Sequence, residues 1–164
     1  MKLTHVDDSG KARMVDISPK PPMHREAVAA GKIILAPATL KQLEENRLQK
    51  GDALAVARIA GIQAGKKTAD LIPLCHPLAI HQLDVQFQPV SDGIEIIARA
   101  VSEGRTGVEM EALTAVSVAA LTLYDMCKAV DKNMIIGAIA LLEKNKHEIQ
   151  GGSGLHLREK ACSK

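Results

Sequence analysis

One long stretch, residues 105–132, constrains the fold more than any other part of the chain. It contains no Pro, no Gly after Gly107 and mostly helix-forming residues, so it predicts one long buried helix. At about 100° per residue, one side of this helix is apolar and consists of Leu113, Val116, Ala120, Leu123 and Cys127. The opposite arc consists of Glu111, Thr114, Ser117, Thr122, Asp125 and Lys128. The helix is therefore predicted to cover a core with one side and to present selected polar groups on the other.

The simplest interpretation of the polar arc is a solvated surface, as for most amphipathic helices. Ala115, Val118 and Leu121 lie in or beside the arc, which makes it more apolar than an ordinary wet surface. Asp125 and Lys128 are i,i+3 neighbours, and an exposed pair of this kind stabilises a helix by only about 0.2–0.5 kcal/mol. We therefore favour a functional face.

Glu111 and Asp125 cannot easily serve one small-molecule site within a single chain. They are fourteen residues apart, which is roughly 21 Å along a helix at 1.5 Å per residue. If both residues are functional, two copies of the helix are expected to pair antiparallel, with Glu111 of one copy near Asp125 of the other. A fully active monomer would refute this hypothesis.

Composition limits the class of protein. With 164 residues, 46% of them apolar, the chain can form one domain, predicted at residues 1–150 and followed by a disordered tail at residues 151–164. A net charge of +2 and only two aromatic residues argue against nucleic-acid binding. The scattered cysteines fit reduced thiols, and neither a signal peptide nor a spanning apolar run is evident. A cytoplasmic protein without membrane association is expected.

The remaining segments predict an α+β fold. The predicted elements are a strand at 14–17, a strand at 32–35, a helix at 39–46, a helix at 53–69, a hairpin around Asp92-Gly93, the long helix and a strand at 134–142. Gly61 and Gly65 in the second helix indicate that another backbone approaches closely. The order βαββαβ is typical of the ferredoxin-like split βαβ sheet with helices packed on one face. We expect a second subunit to cover the other face.

A rigid loop and a set of lysines carry the candidate chemistry. Cys75 and His76 lie between two prolines just before the sheet, where functional groups tend to occur. The other histidines are interpreted as structural, and too few ligands accompany Cys75 and His76 for a zinc site. Five lysines stand out, namely Lys50, Lys66, Lys67, Lys128 and Lys144.

Most lysines are solvated, but Lys128 is expected to be shielded because its helix is buried. Several lysines near one pocket would attract a phosphorylated ligand, lower one another's pKa and let one serve as an acid or base. Asp125 would then orient Lys128 or exchange a proton with it. The motifs GxxxxGK[ST], GxGxxG and GxSxG are absent from the sequence, which leaves acid–base chemistry on a small anionic molecule.

Five runs of sequence resemble a single family. They are Lys50-Gly51-Asp52, ARIAGIQAGKKT at 57–68, DLIPLCHPL at 70–78, TGVEMEALTAVSVAAL at 106–121 and YDMCKA at 124–129. Together they closely resemble the molybdenum cofactor biosynthesis protein C family, the cyclic pyranopterin monophosphate synthases. The resemblance extends from His5 to Lys144. Departures are small: His24 stands where the family more often has an aliphatic residue, and the tail after Lys144 differs.

The resemblance implies a ferredoxin-like subunit in a homohexamer, a trimer of dimers with active sites at the dimer interface. It implies a lyase that converts a cyclised dihydroguanosine triphosphate, made by a radical-SAM GTP cyclase, to cyclic pyranopterin monophosphate with release of pyrophosphate. No cofactor is expected, and whether Mg²⁺ accompanies the triphosphate is left open.

The family's functional residues transfer to this chain by motif. The implied catalytic residues are Asp125, Lys128, Lys50 and Lys144. The implied substrate-binding residues are Leu74, Cys75, His76, Met110 and Glu111, with Arg25 expected to meet the phosphates. The alternative is a non-enzymatic oligomeric sensor of a phosphorylated small molecule, because the fold does not determine function. A sensor would not need the Asp125–Lys128 pair, so Asp125→Asn distinguishes the two hypotheses.

Overall fold

The computed structural model describes residues 10–149. Its elements are β1 (Met23–Ile34), α1 (Pro37–Glu44), α2 (Ala53–Gly65), α3 (Thr68–Leu71), β2 (Ile80–Val90), β3 (Gly93–Gly104), α4 (Glu109–Cys127) and β4 (Ile135–His147). The strands form one antiparallel sheet in the order β2-β3-β1-β4. This order and the α+β class confirm the predicted ferredoxin-like fold. The predicted tail at residues 151–164 lies outside the described residues.

The core lies between one face of the sheet and the helices. Ala27, Ala29 and Ile33 of β1 are fully buried, and α4 packs across β1 and β3 while α2 packs beside it. Alternate residues of a strand point to opposite faces, so His24, Glu26 and the other even-numbered residues of β1 lie on the face without helices. The sheet therefore has one covered face and one open face in the single chain.

Helix α4 has the predicted apolar side. Val116, Ala120, Leu123 and Cys127 are fully buried, whereas Leu113 is half-buried. Glu111 and Thr114 of the polar arc are also buried, so the arc is not a uniformly solvated surface.

The long helix is also shorter than predicted. It ends at Cys127, because the chain turns there to let the buried Asp131 accept a hydrogen bond from the backbone of Ala36 at 2.7 Å.

The predicted close approach at the glycines of α2 is confirmed. A Cβ placed at Gly61 would lie 2.8 Å from the carbonyl oxygen of Ala115, and one at Gly65 would lie 3.0 Å from that of Glu111. The backbones of α2 and α4 therefore touch where only glycine fits. This contact holds the start of α4, with Glu111, against the end of α2.

Several predicted boundaries are wrong. Residues 14–17 are irregular instead of a strand, because the carboxylate of Asp16 accepts a hydrogen bond from the backbone of Ser18 and forms a local turn. The predicted helix at 53–69 is broken after Gly65. β1 starts nine residues earlier than predicted, and β4 runs five residues further, because their polar halves pair with each other.

Helix α4 is long and apolar enough to satisfy a length-and-composition criterion for crossing a membrane, but half of its apolar window is buried inside the domain. The packing of α4 against β1, β3 and α2 places this helix in the core of the domain.

Candidate functional site

Three of the four predicted catalytic side chains meet at the C-terminal end of α4. The Nζ of Lys50 lies 3.0 Å from Oδ2 of Asp125 and also donates to the Asp125 carbonyl at 2.8 Å. The Nζ of Lys128 lies 2.6 Å from Oδ1 of the same carboxylate. One carboxylate thus bridges two ammonium groups. We call Lys50, Asp125 and Lys128 the lysine–aspartate cluster.

The lysine–aspartate cluster is more exposed than expected. The side chain of Lys128 is 56% exposed, so the prediction that its helix would shield it is wrong for the single chain. The prediction of a lowered lysine pKa is also wrong here: the hydrogen bond from Lys128 to Asp125 raises the pKa of Lys128. Hydrogen bonds from Lys128 and Lys50 lower the pKa of Asp125. The hydrogen bond and charge of Asp125 therefore determine the direction of the pKa shift of Lys128, and the cluster is held together by ion pairs.

Five of the six predicted substrate-binding residues line a cavity of about 370 Å³ at the opposite end of α4. The cavity is lined by Val15, Ile17, Lys20, Leu74, Cys75, His76, Leu78, Thr106, Gly107, Glu109, Met110 and Glu111. All five of Leu74, Cys75, His76, Met110 and Glu111 are therefore brought together by the fold. A cavity of this size accommodates a small organic molecule.

Two acidic groups of the cavity, the buried Glu111 and the half-buried Cys75, have raised pKa values. Glu111 is only 4% exposed, and burial, assisted by the charge of Glu109, raises its pKa. Burial and the charge of Glu111 raise the pKa of the Cys75 thiol. A thiol with a raised pKa is a poor nucleophile, so Cys75 is suited to contact a ligand and not to attack it.

An N-terminal segment closes one side of the cavity. His76 Nε2 donates to the carbonyl oxygen of Val15 at 2.8 Å, and the Arg105 guanidinium donates to the carbonyl oxygen of Ser18. Sequence reasoning missed Val15, Ile17 and Lys20 as cavity residues. No periodic pattern marks an irregular segment, and only the turn residues at Ser18-Pro19 indicated that the chain would not continue as a strand.

Lys144 belongs to the cavity end of the molecule and not to the lysine–aspartate cluster. Lys144 pairs with the buried Ala27 across β1 and β4, so it points toward the helices, where its Nζ forms an ion pair with Glu109. Arg25 does not line the cavity; its Nε donates to the carbonyl of Gly104 at 3.4 Å, just before the loop that leads to α4. Lys144 therefore adjoins Glu109 of the cavity lining, whereas Arg25 is bound to the end of β3.

The candidate site is therefore divided into two parts in one chain. The cavity with Glu111 lies at the start of α4 and Asp125 near its end, separated by the roughly 21 Å that fourteen helical residues span. Among residues 10–149, no group of three His, Cys, Asp or Glu side chains could hold a metal ion. The ferredoxin-like subunit, its cavity and its ion-paired lysines are features of a protein that binds a small molecule.

Comparison with known proteins identifies the family. A sequence model of the MoaC family matches residues 14–147, and the chain belongs to this family. It is thereby an enzyme of molybdenum cofactor biosynthesis. The match covers every element of the fold and both parts of the site.

Relatives from several organisms carry the name cyclic pyranopterin monophosphate synthase. A cyclic pyranopterin monophosphate synthase of Heliobacterium modesticaldum is 53% identical over 96% of this chain and 98% of its own. One from Novosphingobium aromaticivorans is 59% identical over 87% and 90% of the two chains. Cyclic pyranopterin monophosphate synthase 1 of Mycobacterium bovis is 54% identical over 96% and 91%.

Proposed function

We propose that the protein is a cyclic pyranopterin monophosphate synthase. It converts a cyclised dihydroguanosine triphosphate, supplied by a radical-SAM GTP cyclase, to cyclic pyranopterin monophosphate and releases pyrophosphate. The active site is assembled from two copies of the chain within a homohexamer, a trimer of dimers. The names of the relatives support the reaction. The division of the site between the two ends of α4 supports an active site shared by two copies.

The observation that carries this proposal is that the two parts of the site lie at opposite ends of α4. Asp125 binds Lys50 and Lys128 at one end, while Glu111 and the cavity lie at the other. Antiparallel pairing of two copies would bring the lysine–aspartate cluster of one copy to the cavity of its partner. Each dimer would then contain two complete sites.

Exposed apolar side chains on the helices support pairing with a second copy. Leu121 lies one turn before Asp125 on α4 and is 59% exposed, and Ile59 on the neighbouring α2 is 58% exposed. Val56, one turn before Ile59, is also exposed. These residues lie in the region between the two parts of the site, where burial against a partner would stabilise a dimer.

The chemistry is acid–base catalysis. Lys128, oriented by Asp125 and held in its protonated form, serves as the general acid, and Lys50 adds a second cation. Lys144, which pairs with Glu109 of the cavity lining, and Arg25 attract the triphosphate. Glu111 contacts the organic part of the substrate together with Leu74, Cys75, His76 and Met110. The reaction requires no redox cofactor. Any Mg²⁺ would accompany the phosphates, since this ion is usually bound through substrate phosphates and water with few protein ligands.

Pyrophosphate release by the purified protein tests the reaction. Wild type given the cyclised dihydroguanosine triphosphate should release pyrophosphate, and Lys128→Ala should bind the substrate without releasing it. Binding without release by correctly assembled wild type would refute the synthase and favour a sensor of a phosphorylated molecule.

Subunit complementation tests the shared site. Asp125→Asn and Glu111→Gln are each expected to be inactive, but subunits mixed and reassembled should recover about a quarter of wild-type activity. Half of the randomly formed dimers are mixed, and each mixed dimer has one intact site of two. A mixture of Lys50→Ala and Asp125→Asn, which alter the same cluster, is the matched control and should stay inactive. Equal recovery in both mixtures, or none in the first, would contradict a site shared between copies.

A further inference from the structure

Two histidines meet on the open face of the sheet, away from the cavity. His24 of β1 and His147 of β4 are directly paired in the antiparallel register. Their rings are nearly parallel, with centroids 6.4 Å apart and planes inclined by 28°. Directly paired residues of neighbouring strands point to the same face. The odd-numbered Ala27 of β1 is fully buried under the helices, so the even-numbered His24, and His147 with it, point to the opposite face. Neither imidazole belongs to the proposed active site.

Carboxylates flank this histidine pair. Glu26 follows two residues after His24 on the same face, and its pKa is lowered mainly by a hydrogen bond from Arg99, with contributions from the charges of His24 and His147. The Nε of Arg99 holds only Oε1 of Glu26, at 2.5 Å. Glu103 lies directly opposite His24 on β3. The pair is thus set among negative side chains that favour a cation.

We propose that His24 and His147 form a binding site for a divalent late first-row transition metal ion of the class Zn²⁺, Ni²⁺ or Cu²⁺. Neutral imidazole nitrogen is a preferred ligand of these ions, whereas Mg²⁺ and Ca²⁺ prefer oxygen. The two rings supply two bonds and water supplies the others. This agrees with the finding that no three His, Cys, Asp or Glu side chains gather within residues 10–149.

The geometry permits chelation after a small movement. At a metal–nitrogen distance of about 2.0–2.1 Å, two rings on one ion have centroids at most about 6.4 Å apart, and closer for a bent arrangement. The observed separation is at this limit. His147 is exposed, so its ring can turn toward the half-buried His24 about its side-chain torsions.

Metal binding would fasten the end of the edge strand. β4 ends at His147, and among residues 10–149 it lies at the edge of the sheet, beside β1. A metal bound to both strands stabilises the folded chain according to ligand concentration and affinity. The histidine pair and the cavity lie on opposite faces of the sheet, and the effect of the metal is measured on stability without use of the synthase reaction.

Thermal unfolding of the full-length, untagged and metal-stripped protein tests the proposal. Titration with Zn²⁺, and in parallel with Ni²⁺, at a pH of about 7.5 should raise Tm in a saturable manner. At a pH of about 5.5 the rise should be smaller, because protons compete with the metal ion for the imidazole nitrogens. Activity is not the readout, so failure of this site and failure of the synthase assignment remain distinguishable.

Single variants locate the ions. His24→Gln and His147→Gln should each weaken the apparent affinity by at least about tenfold, since even the loss of an outer-shell partner costs about 10–100-fold. His81→Gln, at an exposed histidine of β2, is the matched control and should behave as wild type. A wild-type Tm that does not respond, a response that does not saturate, or one that survives in either variant would overturn the proposal.

Discussion

Lys50 reaches across 75 positions of sequence to Asp125, donating both to its carboxylate at 3.0 Å and to its carbonyl at 2.8 Å. The contact ties the turn before α2 to the end of α4. Lys128 forms an ion pair with the other carboxylate oxygen, so Asp125 positions both lysine side chains. Its replacement should therefore disturb the chemistry more than it disturbs the fold.

Asp125→Asn is expected to lower the pKa of Lys128, because the hydrogen bond and charge of Asp125 are what raise it. The lysine then loses its proton at a lower pH, and the alkaline limb of the pH–rate profile should move in the same direction. Pyrophosphate release should fall by at least about 10²-fold, the usual contribution of a positioned acid or base. The titration of Lys128 by NMR checks the first expectation. An unchanged Lys128 pKa would show that Asp125 does not control the protonation of Lys128.

Glu111→Gln is expected to stabilise the protein near neutral pH. The folded-state pKa of Glu111 is raised by burial, so the charged form is disfavoured in the folded state, and the wild type gains stability as pH falls through that pKa. The neutral glutamine avoids this cost at every pH. Tm of the variant should exceed that of wild type at a pH of about 7.5, and the difference should shrink at a pH of about 4.

A matched control for this prediction is Glu109→Gln. Glu109 also lines the cavity but forms an ion pair with Lys144, so its replacement should not raise Tm. A Glu111→Gln protein that is less stable than wild type at neutral pH would show that the buried carboxylate has a compensating partner.

Gly61→Ala is expected to destabilise the fold through the contact between α2 and α4. The new Cβ would lie 2.8 Å from the backbone oxygen of Ala115 and 3.2 Å from the Cβ of Ala119. Overpacking costs about 1–3 kcal/mol, and the gain of about 1 kcal/mol in helix propensity offsets only part of it. The free energy of unfolding measured in urea should fall, by up to roughly 2 kcal/mol. Gly137→Ala, where nothing lies within 4 Å, should change it by less than about 0.5 kcal/mol.

The elements with strong hydrophobic periods were predictable from the sequence. The alternating residues around Asp92-Gly93 form the hairpin of β2 and β3, and the apolar side of α4 is buried. Gly61 and Gly65 mark a real backbone contact, since a glycine in a helix is costly unless close approach requires it. These features follow from local pattern and simple sterics.

Other features depend on long-range pairing that has no local signature. The polar half of β4, from Glu143 to His147, is a strand because it pairs with the polar half of β1. Two register shifts in this pairing decide which side chains face the helices, and a shift by one residue reverses the face. The position of Lys144 at the cavity, and the pairing of His24 with His147, could not be derived without that register.

Lys144 provides the sharpest test of how the site is divided. Its ion pair with Glu109 and its pairing with the buried Ala27 assign it to the cavity part. The family resemblance, in contrast, implies that Lys144 is a catalytic residue together with Asp125 and Lys128. Lys144→Ala subunits mixed with Asp125→Asn subunits should therefore recover about a quarter of wild-type pyrophosphate release, because each mixed dimer has one intact site of two. Lys144→Ala mixed with Glu111→Gln should recover none, since both changes affect the same part. The reverse pattern would place Lys144 with the lysine–aspartate cluster and would require the end of β4 to reach the other end of α4 in the assembled protein.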